Sequence, residues 1–334
     1  MNPASDRSVL DKKVKLYCVT TRFKPVRYWQ YYRLLLKHGS TSEVIYAMGP
    51  VNAGLFAMKA AKKLGKKFVV KVVGDYAWEQ GQVRGLVRDS IDEFQTKKYV
   101  GKIGRLQKIE REVVHNADCV VVPSKYLAGI VKGWGADEKK IKVIQNAAEL
   151  KDVQGAPKPG TEKWIVSVGR LVPWKGMKTL IEIMPEILEK HSNARLKIIG
   201  DGPEMNNLKK CVEDLKLQET VDLLGNLSHE EALRYIKSAN VFILNSGYEG
   251  LSHVLLEVSY FRVPLYASKS GGNVEVVRDD HLFEYNNKAQ IKECVVHAFS
   301  LSPEVDFANR DVLLGAEVSR DMMIEETKTT LESV

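Results

Sequence analysis

The sequence predicts an α/β protein made of two Rossmann-like domains whose parallel sheets face each other across a cleft. Three observations predict it. Short β-rich apolar runs alternate with helical stretches along the whole chain, the pattern of parallel strands covered by helices on both faces. A Gly/Pro-rich stretch without periodicity, Gln154–Gly160, divides the alternation in two and reads as a linker. At 334 residues the chain is long for one domain and comfortable for two. The expected divisions are 1–152, 153–309 and a last segment, 310–334, whose helix should pack back toward the first domain.

In the first half, strand-like runs are Lys15–Thr20, Val44–Met48, Phe68–Val73, Cys119–Val122 and Lys142–Gln145. Helical patterns fill the gaps at Tyr28–Lys37, Gly54–Leu64, a long segment near Val87–His115, and Tyr126–Trp134. The second half repeats this order. Its strands are Trp164–Val168, Leu196–Ile199, Val221–Leu224, Val241–Leu244, Pro264–Ala267 and Leu282–Tyr285. Its helices are Met177–Lys190, Glu204–Leu217, His229–Lys237, Leu251–Phe261, Ala289–Leu301 and Met322–Ser333. In such domains ligands bind at the C-terminal ends of the strands.

Composition excludes several classes. The chain is 44% hydrophobic and 28% charged, an ordinary globular balance. No run of about eighteen apolar residues provides a membrane-spanning helix, and Met1–Leu10 carries no apolar signal core. Cys18, Cys119, Cys211 and Cys294 are far apart, without metal-ligand spacing, and read as the reduced cysteines of a cytoplasmic protein. The net charge of +8 conceals a split: residues 1–150 hold 28 Lys and Arg against 14 Asp and Glu, whereas residues 151–334 hold 22 against 28. The basic half suits an anionic partner; chance distribution of solvated charge is the alternative.

Four loops of the second half lie where strands give way to helices. In Ser167–Gly176, Arg170 and Lys175 follow Gly169 at the mouth of the sheet, where a guanidinium fork and an ammonium suit a diphosphate or are simply surface cations. Gly200 and Gly202 allow close backbone approach to a ligand, or a tight turn. In Ser246–Glu257, Glu249 sits in the loop, while Gly250, Leu251 and Ser252 open a helix whose free N–H groups suit phosphate oxygens. Glu257, eight residues after Glu249 in an apolar helix, needs a polar partner, which a ribose diol or an internal salt bridge would supply. The last loop is Ser270-Gly271-Gly272-Asn273-Val274-Glu275. There Glu275 opens a helix, where its charge could serve the dipole.

Taken in this order, Gly169-Arg170…Lys175-Gly176, Gly200-Asp201-Gly202-Pro203, Glu249…Glu257 and Gly271-Gly272…Glu275 resemble the donor-binding half of the retaining GT-B glycosyltransferases of family 4. The resemblance implies that Arg170 and Lys175 hold the diphosphate of a sugar nucleotide, UDP- or GDP-linked, and stabilise charge on the leaving group. It implies that Glu257 binds the ribose and that Glu249 lies beside the donor sugar. Gly169, Gly200, Gly202 and the backbone at Gly250, Leu251 and Ser252 would line the donor, with Asn226 and Leu227 near the base. No metal or cofactor is implied, because fixed cations and a helix N-terminus do that work.

The first half resembles the family less closely. The strand before Gly74 ends in Val73, where many members carry a histidine that helps at the sugar. Asp75, Tyr76 and Glu79 could supply polar contacts instead, although Asp75 equally suits a cap or turn. Asn146 matches the family's strand-end asparagine, and His253 is the one histidine in a motif loop. Five strands precede the linker where the family usually has six or seven, so an opening β-α-β unit is missing or is supplied by a partner chain. Arg27–Lys37 mixes four aromatics with cations, and Lys98, Lys102 and Arg105 share a helical face. Both suit an anionic membrane surface, and also a packed helix and a solvated face.

The expected function is transfer of a sugar from a sugar nucleotide to a glycan or lipid-linked acceptor at the cytosolic membrane face. The alternatives are an epimerase or phosphorylase on the same fold, or a non-catalytic or split-enzyme subunit that binds a sugar nucleotide. No motif supports nucleic-acid binding.

Overall fold

The computed structural model describes residues 15–148, 152–301 and 319–334. The expectation for Met1–Leu10 and the division at 309/310 lie outside them. The first domain runs α1 (Lys24–Gly39), β1 (Val44–Met48), α2 (Leu55–Leu64), β2 (Lys67–Lys71), α3 (Tyr76–Val83), α4 (Ile91–Thr96), α5 (Gly101–His115), β3 (Cys119–Val122), α6 (Lys125–Gly133) and β4 (Ile141–Val143). Its four strands are parallel, in the order β1-β2-β3-β4. The interior strand β3 is Cys-Val-Val-Val, buried at every position, as a strand covered on both faces must be.

Local chemistry fixes many of the ends. Ser124 caps α6 by accepting the Leu127 N–H, and Ser90 with Glu93 closes a capping box on α4. α2 stops at Gly65, whose φ of 64° is left-handed. The long helical segment expected near Val87–His115 is two helices, broken at Lys97–Val100, and α3 before it escaped the periodicity because it has only eight residues. Lys15–Thr20 is not a strand: the segment is largely exposed and makes no ladder. Its apolar residues meet no sheet face, which leaves one edge of β1 without a strand partner among the described residues.

The second domain runs β5 (Lys163–Val168), α7 (Met177–Glu182), α8 (Met184–Lys190), β6 (Ala194–Ile199), α9 (Met205–Asp214), β7 (Val221–Gly225), α10 (His229–Lys237), β8 (Val241–Leu244), α11 (His253–Tyr260), β9 (Leu265–Ser268), β10 (Leu282–Phe283) and α12 (Lys288–Ser300). The sheet order is β10-β9-β8-β5-β6-β7, all parallel. The chain builds outward from β5 to β7, then returns to the other side at β8. The crevice between the C-terminal ends of β5 and β8 is therefore the topological switch point, where such sheets bind ligands. The segment read as a linker is held against this domain: Ala156 N–H donates to Arg234 O at 3.0 Å, and the Lys158 ammonium donates to Asn240 Oδ1 at 2.8 Å.

The last helix, α13 (Arg320–Glu332), places Met323 and Leu331, with Val334 beyond it, against Val69, Cys119, Val121 and Ile144 of the first sheet. The first domain's core also takes in Val172, Trp174 and Tyr248 from the second, so the two domains share buried apolar surface.

Candidate functional site at the domain interface

Both loops of the switch point carry the predicted charges. Beyond β5 the chain passes Gly169 and Arg170, forms a 3-10 turn at Pro173–Lys175, and enters α7 through Gly176. Beyond β8, residues 245–252 lead into α11, which begins at His253 with Ser252 at its N-cap. The helix thus opens two to three residues later than its sequence suggests. The Lys175 ammonium donates to Glu249 Oε1, with the side chains only 15% and 11% exposed. Two residues expected at the donor are therefore partners, each reducing the cost of burying the other's charge.

Arg170 reaches across the cleft. Its Nη2 donates to Glu79 Oε2 of α3 at 3.0 Å, and its guanidinium lies 5.5 Å from the Trp174 ring centroid. Glu257 has the internal partner that was its alternative reading: His229 Nε2 donates to its Oε1 at 2.8 Å. Asn226 and Leu227 follow β7, with Asn226 exposed and Leu227 packed on the second core.

The motif glycines chiefly let loops nest on one another. A Cβ on Gly200, whose φ is +138°, would sit 1.9 Å from Gly169 O. One on Gly202 would meet Leu171 O at 2.2 Å. Cβ atoms on Gly271 and Gly272 would strike Glu249 O at 2.1 Å and Gly250 O at 2.2 Å.

Several of the remaining candidates tie the domains together. Asn146 Nδ2 donates to Leu251 O at 3.0 Å, and His253 Nδ1 to Ala147 O at 3.1 Å. Glu275 does not sit idle at its own 3-10 turn: its carboxylate accepts the Lys125 and Tyr126 N–H groups at the start of α6, at 2.9 and 2.8 Å. Trp78 packs at 5.0 Å from Trp174 and 5.3 Å from Tyr248.

Asp75 is buried and caps α3, accepting the Trp78 N–H at 2.7 Å and Gln95 Nε2 at 2.8 Å. Burial pushes its pKa up to about 6, against the hydrogen bonds that favour the carboxylate. Tyr76 contributes its backbone N–H to Glu110 Oε1 at 2.8 Å. Glu110 is buried and also accepts the Ala77 N–H at 3.2 Å; burial and the nearby Asp75 push its pKa well up. Sequence reasoning missed Glu110, and its only signal is an acidic residue on the apolar stripe of α5 beside Ile103, Val113 and Val114. It missed Tyr248 as well, whose buried hydroxyl finds no hydrogen-bond partner among the described residues.

The arrangement offers two cations and two carboxylates at the mouth of a parallel sheet, walled by aromatics from both domains. It can hold a diphosphate ester and stabilise charge on its departure. Among the described residues, no His, Cys, Asp and Glu side chains gather in a group of three or more able to hold a metal ion.

Two family models match the chain. Residues 149–304 match the family described as Glycosyl transferases group 1, and residues 7–147 match a Glycosyl transferase 4-like domain. The chain is 30% identical over 141 residues to the phosphatidylinositol N-acetylglucosaminyltransferase gpi3 subunit of Schizosaccharomyces pombe, covering 42% of this chain and 31% of that one. It is 33% identical over 126 residues to the GDP-mannose-dependent alpha-(1-6)-phosphatidylinositol monomannoside mannosyltransferase of Mycobacterium tuberculosis, covering 36% and 33%. The stretch shared with such curated relatives spans 30% to 40% of their length. Among solved structures, Anabaena HepE in complex with UDP aligns with a TM-score of 0.65 at 15% identity, over 92% of this chain and 82% of that one. Sucrose-phosphate synthase from Thermosynechococcus elongatus aligns at 0.68 and 17% identity, over 96% and 80%. These likenesses concern the fold, two parallel-sheet domains in the GT-B arrangement. The chain therefore carries a Glycosyl transferase 4-like domain followed by a Glycosyl transferases group 1 domain, on the GT-B fold.

Proposed function

We propose that the protein is a retaining glycosyltransferase that moves a sugar from a nucleotide-diphosphate sugar to a glycan or lipid-linked acceptor at the cytosolic face of a membrane. The observation that carries this reading is the gathering of Arg170, Lys175 and Glu249 at the switch point of the second sheet. In this reading Arg170 leaves Glu79 for the donor diphosphate, while Lys175, oriented by Glu249, neutralises the inner phosphate. The bond between the anomeric carbon and the phosphate oxygen breaks, a bond to the acceptor hydroxyl forms on the same face, and the hydroxyl proton passes to the departing phosphate. Catalysis is positioning and charge stabilisation, supplied by fixed cations rather than by a metal or cofactor. Glu257, freed from His229, takes the ribose hydroxyls, and Asn226 and Leu227 adjoin the base. A UDP- or GDP-linked donor suits relatives that bind UDP or are named for GDP-mannose.

The membrane part rests on α1. Tyr32, Leu35 and Leu36 pack on the first core, while Phe23, Val26 and Trp29 are exposed among Arg22, Lys24, Arg27 and Arg33. An apolar face rimmed with cations suits an anionic bilayer. No described helix is long and apolar enough to cross a membrane.

A thermal-shift and hydrolysis screen across UDP-, GDP- and ADP-sugars tests the donor reading. At least one diphosphate should raise the melting temperature of the wild type and none that of Lys175→Ala; no shift with any of the three refutes it. A second reading, a subunit of a split enzyme, is favoured by the unpartnered edge of β1 and by a relative named as a subunit. A folded chain that binds the nucleotide but turns over no donor would support it.

A further inference from the structure

β2 ends at Lys71, and the two-residue alternation of the strand sets its side chain on the face of Val69 rather than that of Phe68 and Val70. Below it that face is apolar, formed by Val69, Cys119, Val121 and Ile144 under α13. Lys71 is 9% exposed, yet among the described residues nothing forms a hydrogen bond or ion pair with its ammonium. Burial holds its pKa below the usual lysine range, and no acid opposes that shift. Among the described residues the fully buried, unpaired side-chain nitrogens and oxygens are Ser167 Oγ, Arg234 Nε, Tyr248 Oη and Asn273 Oδ1, so the Lys71 stem is covered while its ammonium keeps contact with solvent. It stands at the C-terminal end of β2 without an acidic partner.

Its surroundings describe a suitable ligand. In register, Lys71 lies beside Met48 of β1, and Val73 lies two residues beyond the end of β2. Met48, the last residue of β1, and Val73, just beyond β2, are 63% and 52% exposed. These are C-terminal strand ends, facing the cleft, where an open parallel sheet receives its ligand. The nearby loop is fixed rather than free: Gly49 N–H donates to Lys71 O at 2.8 Å, and Pro50–Gly54 forms a π-helical turn. A single compact cation between two exposed apolar side chains fits an anionic oxygen carried on an apolar chain.

We propose that Lys71 is an anion-binding subsite of the first domain, which holds the phosphate or phosphodiester of a lipid-linked acceptor while Met48 and Val73 meet the adjoining apolar chain. The word acceptor rests on the glycosyltransferase reading; the binding site itself does not.

Isothermal titration of the full chain with octyl phosphate below its micelle concentration tests it, beside inorganic phosphate and octanol. The wild type should bind one octyl phosphate per chain, at least tenfold tighter than inorganic phosphate, and should not bind octanol measurably. Lys71→Met, which fills the same buried slot without a charge, should melt no lower than the wild type and lose at least tenfold in octyl phosphate affinity. Lys71→Gln provides the same test should the methionine variant fold poorly, and Lys71→Arg should recover part of the binding. The thermal shift with UDP or GDP should be unchanged in all three variants. Equal octyl phosphate affinity in wild type and Lys71→Met overturns the subsite. Inorganic phosphate bound as tightly as octyl phosphate overturns the lipid-linked assignment. Loss of the nucleotide shift in the wild type refutes the glycosyltransferase reading alone, since octyl phosphate binding would still report on Lys71.

Discussion

Replacing Arg170 with alanine should separate chemistry from stability. The guanidinium is 57% exposed and its partner Glu79 25% exposed, so their 3.0 Å ion pair stands largely in water. Such pairs contribute about 0–1 kcal/mol. The stacking over Trp174 adds about 0.5–1 kcal/mol at an exposed site. The variant should therefore lose at most about 2 kcal/mol, a shift of several degrees in melting temperature. Loss of a charge that stabilises the departing diphosphate should instead raise the barrier by about 2.7–4 kcal/mol, a rate loss of roughly 10²–10³. Glu79→Gln is the matched control. It breaks the same ion pair, at the same small cost in stability, but leaves the guanidinium free for the diphosphate. Its nucleotide affinity should equal or exceed that of the wild type. Denaturant unfolding gives the stability term, and hydrolysis of whichever sugar nucleotide shifts the wild type gives the rate. An Arg170→Ala protein that stays folded and turns over donor within tenfold of the wild type would refute the assignment. So would a Glu79→Gln protein as slow as Arg170→Ala.

The buried Asp75 makes stability depend on pH. Its carboxyl, raised from 3.8 to about 6, holds a proton in the folded state that the unfolded chain has lost, so the stabilisation is complete below about pH 4 and disappears as pH rises through about 6. Compared with Asp75→Asn, the wild type should lose about 2 kcal/mol between pH 4 and 7 in urea titrations; parallel profiles would remove the argument. At the interface, a Cβ on Gly250 would sit 2.5 Å from Val73 O and 2.9 Å from Leu127 Cδ1, both in the other domain. Gly250→Ala should cost about 1–3 kcal/mol and weaken nucleotide binding, whereas Gly129→Ala, in open space within α6, should stabilise by about 0.5–1 kcal/mol. Equal melting temperatures for the two variants would contradict the account of the interface.

Strand positions were legible because parallel interior strands are apolar runs with sharp polar ends. Cys119–Val122 and Val241–Leu244 emerge at their expected limits. Lys15–Thr20 has the same local pattern but meets no sheet, and pattern alone does not reveal a missing neighbour. The charges of the site were legible from spacing: Lys175 and Glu249 do meet. Their pairing was not, because a salt bridge and a ligand contact call for the same residues. Glu79 and Glu275 form contacts with residues 91 and about 150 positions away, which no local periodicity encodes. Lys71 was hidden for the opposite reason. A lysine at a strand end commonly covers its stem and keeps its ammonium in reach of water, and only the lack of an acidic partner beside so covered a stem distinguishes this one.

The nested glycines have a consequence for how this protein can change. Gly200 rests on Gly169, Gly202 on Leu171, Gly271 on Glu249 and Gly272 on Gly250, backbone against backbone. None of these positions accepts a side chain unless the loop beneath it moves, so the motif loops can diverge only in step. A library meant to alter donor choice should leave all of them fixed. Its diversity belongs at Asn226 and Leu227, whose loop carries no such contact, and substitutions there can accumulate one at a time.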